Sequence, residues 1–173
     1  FSNPEAMDVA QVARNLSEGH GFSTHFIRPA SVGLQMERAM KKGESPTVAL
    51  RQSHPDISNP PLYPALLAVM MKVLPFEFAI SMDAFLNREF IRHQPEVLIW
   101  VFNQLLFLVV LVQVYRLGTR LFDLTVAWLA ALVFLSTGLY WKFSTSGLST
   151  MLVLVIFLAL INSLISLEEA GRE

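Results

Sequence analysis

The sequence predicts an all-α polytopic membrane protein, in which an extracytoplasmic helical loop region is followed by transmembrane helices. Composition is the first reason. Hydrophobic residues make up 53% of the 173 and charged ones 16%, against about 25% charged in soluble domains, and the mean hydropathy is +0.48. The second reason is three apolar runs, Val97–Tyr115, Leu124–Trp141 and Gly147–Leu167, which hold no charged residue and approach the roughly 20 residues that a bilayer core requires. The third is a sharp boundary. His54-Pro-Asp-Ile-Ser-Asn-Pro-Pro-Leu-Tyr-Pro64 separates a polar, charge-bearing region from an almost continuously apolar one, a hinge between water and lipid.

The same composition narrows the function classes. A formal net charge of -1 supplies no basic face for phosphate neutralisation, so no nucleic-acid partner is expected. With no cysteine, thiolate metal sites and disulfide scaffolds are excluded. A chain that opens at Phe1 without Met and closes on a charged tail reads as a fragment of a larger module, inactive alone, with a first membrane helix upstream.

Ser2-Asn3-Pro4-Glu5 reads as a helix opening, with Ser2 or Asn3 as cap, Pro4 in the first turn and an acid beside the positive helix end. Ala6, Val9, Ala10, Ala13 and Leu16 recur at helical spacing and predict a helix to about Glu18, stopped by Gly19 and Gly21. Glu5 and Asp8, three apart, are neighbours on its first turn. Two carboxylates side by side suit a base and its orienter, although first-turn acids also simply complement the helix dipole.

Residues 20–46 lack sustained periodicity apart from an amphipathic stretch around Val32–Met40. His20 and His25 gain no third ligand nearby, so the sequence does not support a divalent metal, and no cofactor is expected. Arg28 presents a planar fork of donors suited to phosphate. The four prolines between His54 and Pro64 predict a stiff connector that is neither helix nor central strand, with Pro61 or Pro64 opening the next helix. Leu62–Val73 is too short to cross a bilayer and is expected at the membrane edge or against other helices. Phe78–His93, with Phe78, Met82, Phe85, Leu86 and Phe90 among charges, suits a helix lying in the interface. Arg116 and Arg120 after the first span, against Lys142 alone after the second, place the 116–123 loop in the cytoplasm and the N-terminal region outside it.

Three blocks in order, Pro4–Phe22 (PEAMDVAQVARNLSEGHGF), Asn59–Pro64 (NPPLYP) and Tyr115–Phe122 (YRLGTRLF), resemble the N-terminal part of GT-C membrane glycosyltransferases of the bacterial protein O-mannosyltransferase and aminoarabinose transferase group. The resemblance implies an inner-membrane enzyme whose first extracytoplasmic loop, residues 1–95 here, carries a catalytic acid. It also implies inverting transfer of a sugar from a polyprenyl-phosphate carrier to an unspecified acceptor, with membrane lipid as a partner. The family's acid falls on Glu5. The usual Asp with an adjacent second acid is absent, so Glu5 and Asp8 are both candidates for the base, Glu5 being preferred. A lysine common before the Pro-Pro-Leu block is Asn59 here, and an acid common near the start of the later membrane helix is replaced by Ser149-Thr150. With Tyr63, Asn59 completes a set of substrate-binding candidates whose cationic members are His25, Arg28 and His54. Such cations would stabilise the charge developing on the leaving phosphate. The rival readings are a transporter, which would place ionisable residues at mid-membrane depth where these spans have none, and a noncatalytic membrane subunit.

Overall fold

A computed structural model of the chain describes residues 3–25, 29–43, 45, 53–56, 58–78 and 94–172. They are mostly helical and form two compact units, Asn3–Phe76 and the residues from Glu77 onward.

In the first unit, helix α1 spans Pro4–Ser17. Asn3 caps it, its Oδ1 accepting from the Glu5 amide at 3.0 Å, and Pro4 occupies a position where a backbone N–H would be orphaned anyway. Gly19 and Gly21 follow with φ of 84° and 75°, a left-handed conformation that a side chain would resist. The buried face of α1 differs from the predicted stripe. Ala6, Val9 and Ala13 are buried as expected, but so are Val12, Asp8 and Asn15, whereas Ala10 and Leu16 are only half-buried. Polar residues turn inward because partners wait there. Asn15, for example, donates Nδ2–H to the Ser23 carbonyl at 2.8 Å.

Helix α2 spans Pro29–Lys42, wider than the amphipathic stretch suggested, and buries Ala39. The proline connector opens with a two-residue edge strand. Strand β1 (Ser23–Thr24) pairs antiparallel with β2 (His54–Pro55), Ser23 opposite Pro55 and Thr24 opposite His54. Pro55 has no N–H to give, so the neighbouring Asp56 amide bonds the Phe22 carbonyl at 3.1 Å. Pro61 then sits at the N-cap of helix α3, Leu62–Val73. α3 packs against α1. It buries Tyr63, Pro64, Leu67, Ala68 and Met71 while Leu62, Leu66, Val69 and Val73 form an exposed apolar stripe on the opposite side.

The second unit opens with α4, Gln94–Leu121. Helix α5 (Leu124–Ser136) follows under an Asp123 cap whose Oδ1 accepts from the Val126 amide at 2.7 Å, then come α6 (Gly138–Thr145) and α7 (Thr150–Ala170). α4 packs against each of the other three. α4 and α7 are each long and apolar enough to cross a membrane, and α5 with α6 makes a third if the pair, bent by 59°, is one span. The uninterrupted span predicted for Leu124–Trp141 is thus broken at Thr137. Ser136 and Thr137 turn their hydroxyls onto the Val133 carbonyl at 3.0 and 2.7 Å, competing with the helical bond. The carbonyl of Leu135 is met by Trp141 Nε1–H at 2.7 Å. The predicted last span starts three residues later than expected, after Gly147 at φ 75°.

Arg116 and Arg120, expected in a loop, lie in the last turns of α4, and Lys142 lies within α6. Arginine is a good helix former, and nothing stops α4 before Asp123 caps its successor. The interfacial helix predicted for Phe78–His93 falls outside the described residues from 79 onward. Within the bundle, Phe107 sits 5.4 Å edge-on from Trp141 and 6.0 Å from Phe134, centroid to centroid. Gly118 lets α5 approach so closely that a Cβ there would lie 2.7 Å from Ala127 Cα.

Candidate active site at the head of the first helix

Three separate stretches of the first unit meet at one carboxylate. Asp8, on the inward face of α1, is 3% exposed. Its Oδ1 accepts from the Thr24 hydroxyl at 2.6 Å, tying α1 to β1, and its Oδ2 accepts from Asn59 Nδ2 at 2.8 Å, tying α1 to the proline connector. The second N–H of the same amide goes to Asp56 Oδ2 at 2.6 Å. Both partners of Asn59 are carboxylates, which only accept when ionised, so the orientation of its amide follows from chemistry.

Asp56 is itself held in an Asx turn. Its Oδ1 accepts from the Ser58 amide at 2.9 Å and the Ser58 hydroxyl at 2.8 Å. Burial pushes the Asp56 carboxyl up, but the donors from Ser58 and Asn59 together outweigh it and hold the group below the usual carboxylate range. A buried pair of acids around one neutral amide is costly unless every oxygen is met by a donor. Here each of the four is.

The predicted site residues do not all come together. Asp8 and Asn59 are directly bonded. Glu5 lies one turn before Asp8, exposed and outside this clamp, where the helix end favours a negative charge. His25 is exposed beside Thr24, and His54 is half-buried opposite Thr24, its Nδ1 buried without a hydrogen-bond partner among the described residues. Tyr63 is 1% exposed, in the core of the unit. Arg28 lies outside the described residues. Among those described, no three His, Asp or Glu side chains converge to hold a metal ion.

Sequence reasoning missed Thr24, Asp56 and Ser58. The Asp-x-Ser spacing between prolines was a local signal for the Asx turn, but nothing local ties Asp56 through Asn59 to a helix 50 residues away. Chemically, the arrangement divides two acids on one helix. Asp8 has both oxygens engaged and is closed to solvent, whereas Glu5 is open to it. No protein-family model, curated protein or solved structure matches this chain.

Proposed function

We propose that the chain belongs to a polytopic membrane glycosyltransferase that moves a sugar from a polyprenyl-phosphate carrier to an acceptor hydroxyl on the extracytoplasmic side. Glu5 is its general base and Asp8 the residue that positions the helix bearing it. The observation that carries this reading is the pairing of an exposed helix-head carboxylate with a clamp that fixes that same helix to the proline connector. A hydroxyl nucleophile must lose its proton as it attacks the anomeric carbon, and a positioned carboxylate is worth typically 10² to 10⁴-fold in that step. The base must be reachable, which favours Glu5. It must also be held still, since a small misplacement costs rate steeply, and Asp8 supplies that through Thr24 and Asn59.

Two further features support the membrane setting. α4 and α7 have the length and apolarity of spans, and the stripe of Leu62, Leu66, Val69 and Val73 offers α3 a face suited to acyl chains. The half-buried His54, in the strand beside the proline connector, is the candidate to meet the leaving phosphate. Membranes carrying that whole glycosyltransferase, supplied with a radiolabelled polyprenyl-phosphate sugar, should release free polyprenyl phosphate in step with acceptor labelling. An intact donor after prolonged incubation with a range of acceptors would reject the enzyme reading in favour of a noncatalytic subunit.

A further inference from the structure

We propose that the groove between the C-terminal halves of α4 and α7 binds the phosphodiester headgroup of an anionic membrane lipid. This rests on reading α4 and α7 as membrane-spanning, but it concerns residues far in sequence from Glu5 and Asp8. The groove has a volume of about 580 Å³ and is faced by Gln113, Arg116 and Arg120 of α4 and by Asn162, Ser163 and Ser166 of α7. Both sets recur at three- and four-residue spacing, so each is one helix face.

The electrostatics single this groove out. Arg120 Nη1 reaches across to the Ser166 hydroxyl at 2.9 Å and the Asn162 carbonyl at 3.3 Å, which orients its guanidinium over the groove. Those bonds use one nitrogen of the fork and leave its charge uncancelled. Among the described residues, neither Arg116 nor Arg120 pairs with a carboxylate, although every described arginine or lysine ion pair elsewhere is made with an acid four residues away. Glu168, at the same end of α7, is taken by Arg172. Two arginines one turn apart can each present parallel N–H donors to phosphate oxygens, and basic pockets between spanning helices suit anionic headgroups.

The deeper end of the groove fits the rest of such a molecule. Gln113 lies one turn further into the span, and its buried Oε1 has no hydrogen-bond partner among the described residues. Rotating that amide presents N–H donors at the depth of the lipid's ester carbonyls. Beyond it, Leu105, Val109 and Val112 of α4 and Val153, Ile156 and Leu160 of α7 are exposed and apolar, a surface for acyl chains. A soluble phosphate would use the arginines alone, whereas a lipid uses both ends.

The test takes the full chain in nanodiscs of phosphatidylcholine with increasing phosphatidylglycerol, and counts retained phosphatidylglycerol by native mass spectrometry. The membrane reading is checked separately, by whether alkaline carbonate leaves the wild-type chain in the membrane pellet; release would reject that reading whatever lipid binds. With retention established, wild type should hold phosphatidylglycerol over phosphatidylcholine, and Arg116→Gln/Arg120→Gln should lose about thirty-fold in affinity, from the usual contribution of two cations at a lipid surface. Arg120 also bridges the helices, so Arg116→Gln alone, a change at an exposed side chain, should still lose about five-fold while melting as wild type does in pure phosphatidylcholine. Arg172→Gln, outside the groove, should change nothing. Equal retention of the two lipids, or full retention by Arg116→Gln, would overturn the site. Displacement of the lipid by millimolar glycerol phosphate would overturn its assignment to a lipid in favour of a soluble anion.

Discussion

Removing Asn59 tests whether the clamp around Asp8 holds the first unit together. Asn59 gives one N–H to each of two buried carboxylates, at 2.8 and 2.6 Å. A hydrogen bond to a charged group contributes about 1.5–3 kcal/mol, so Asn59→Ala, losing two, should cost about 3–6 kcal/mol less whatever water recovers at this half-buried position. Asp8→Ala removes the Asn59 and Thr24 bonds together and should cost about 3–6 kcal/mol on the same basis. The informative quantity is the coupling. In the double variant the shared bond is lost only once, so the two costs should fall short of additivity by about 1.5–3 kcal/mol. All three tryptophans, at positions 100, 128 and 141, lie in the second unit and would not sense this change. Hydrogen exchange of the α1 amides, read by mass spectrometry, reports the local opening free energy. Additivity within about 0.3 kcal/mol would mean that Asp8 and Asn59 do not share a stabilising contact, and the clamp would be refuted.

Gly118→Ala would put a Cβ 2.7 Å from Ala127 Cα; forcing α4 and α5 apart should cost about 1–3 kcal/mol and lower the thermal midpoint, while Thr119→Ala on the exposed side should not. Asp56 is held below its usual range in the fold, so between the folded and unfolded values the unfolded chain binds more protons. The resulting stability is present above the unfolded value of about 3.9 and lost as pH falls through the lower folded one. Circular dichroism melts from pH 5 downward should show this loss, flattened in Asp56→Asn. Because the chain has no cysteine, Ser45→Cys and Thr119→Cys can be labelled without background. An impermeant maleimide should reach the first from the extracytoplasmic side and the second only after permeabilisation; the reverse would invert the proposed orientation.

Local features were legible where the backbone itself sets the rule. Asn3-Pro4 at the start of α1, the glycines after it and Pro61 before α3 each act within a few residues, and the apolar runs announce α4 and α7 by length alone. The bend at Thr137 was hidden for a related reason. Ser136-Thr137-Gly138 is too short to interrupt an apolar run, yet two hydroxyls aimed at one carbonyl compete with the helical bond at that point. The arginines of α4 were assigned to a loop because charge ends an apolar pattern, although charge does not end a helix. At the site, two acids on one turn of α1 could be read from spacing. Their different surroundings could not, since they depend on Thr24, Asp56 and Asn59 folding back onto Asp8 and leaving Glu5 outside.

The division of roles between those two acids is decided by the pH dependence of sugar transfer from a polyprenyl-phosphate donor in Glu5→Gln and Asp8→Asn. Glu5→Gln should lower turnover by about 10² or more and abolish the acidic limb of the pH–rate profile, with α1 hydrogen exchange unchanged. Asp8→Asn should speed α1 exchange and lower turnover less, keeping that acidic limb. A Glu5→Gln enzyme with normal turnover and an intact acidic limb would contradict the assignment of Glu5 as the base.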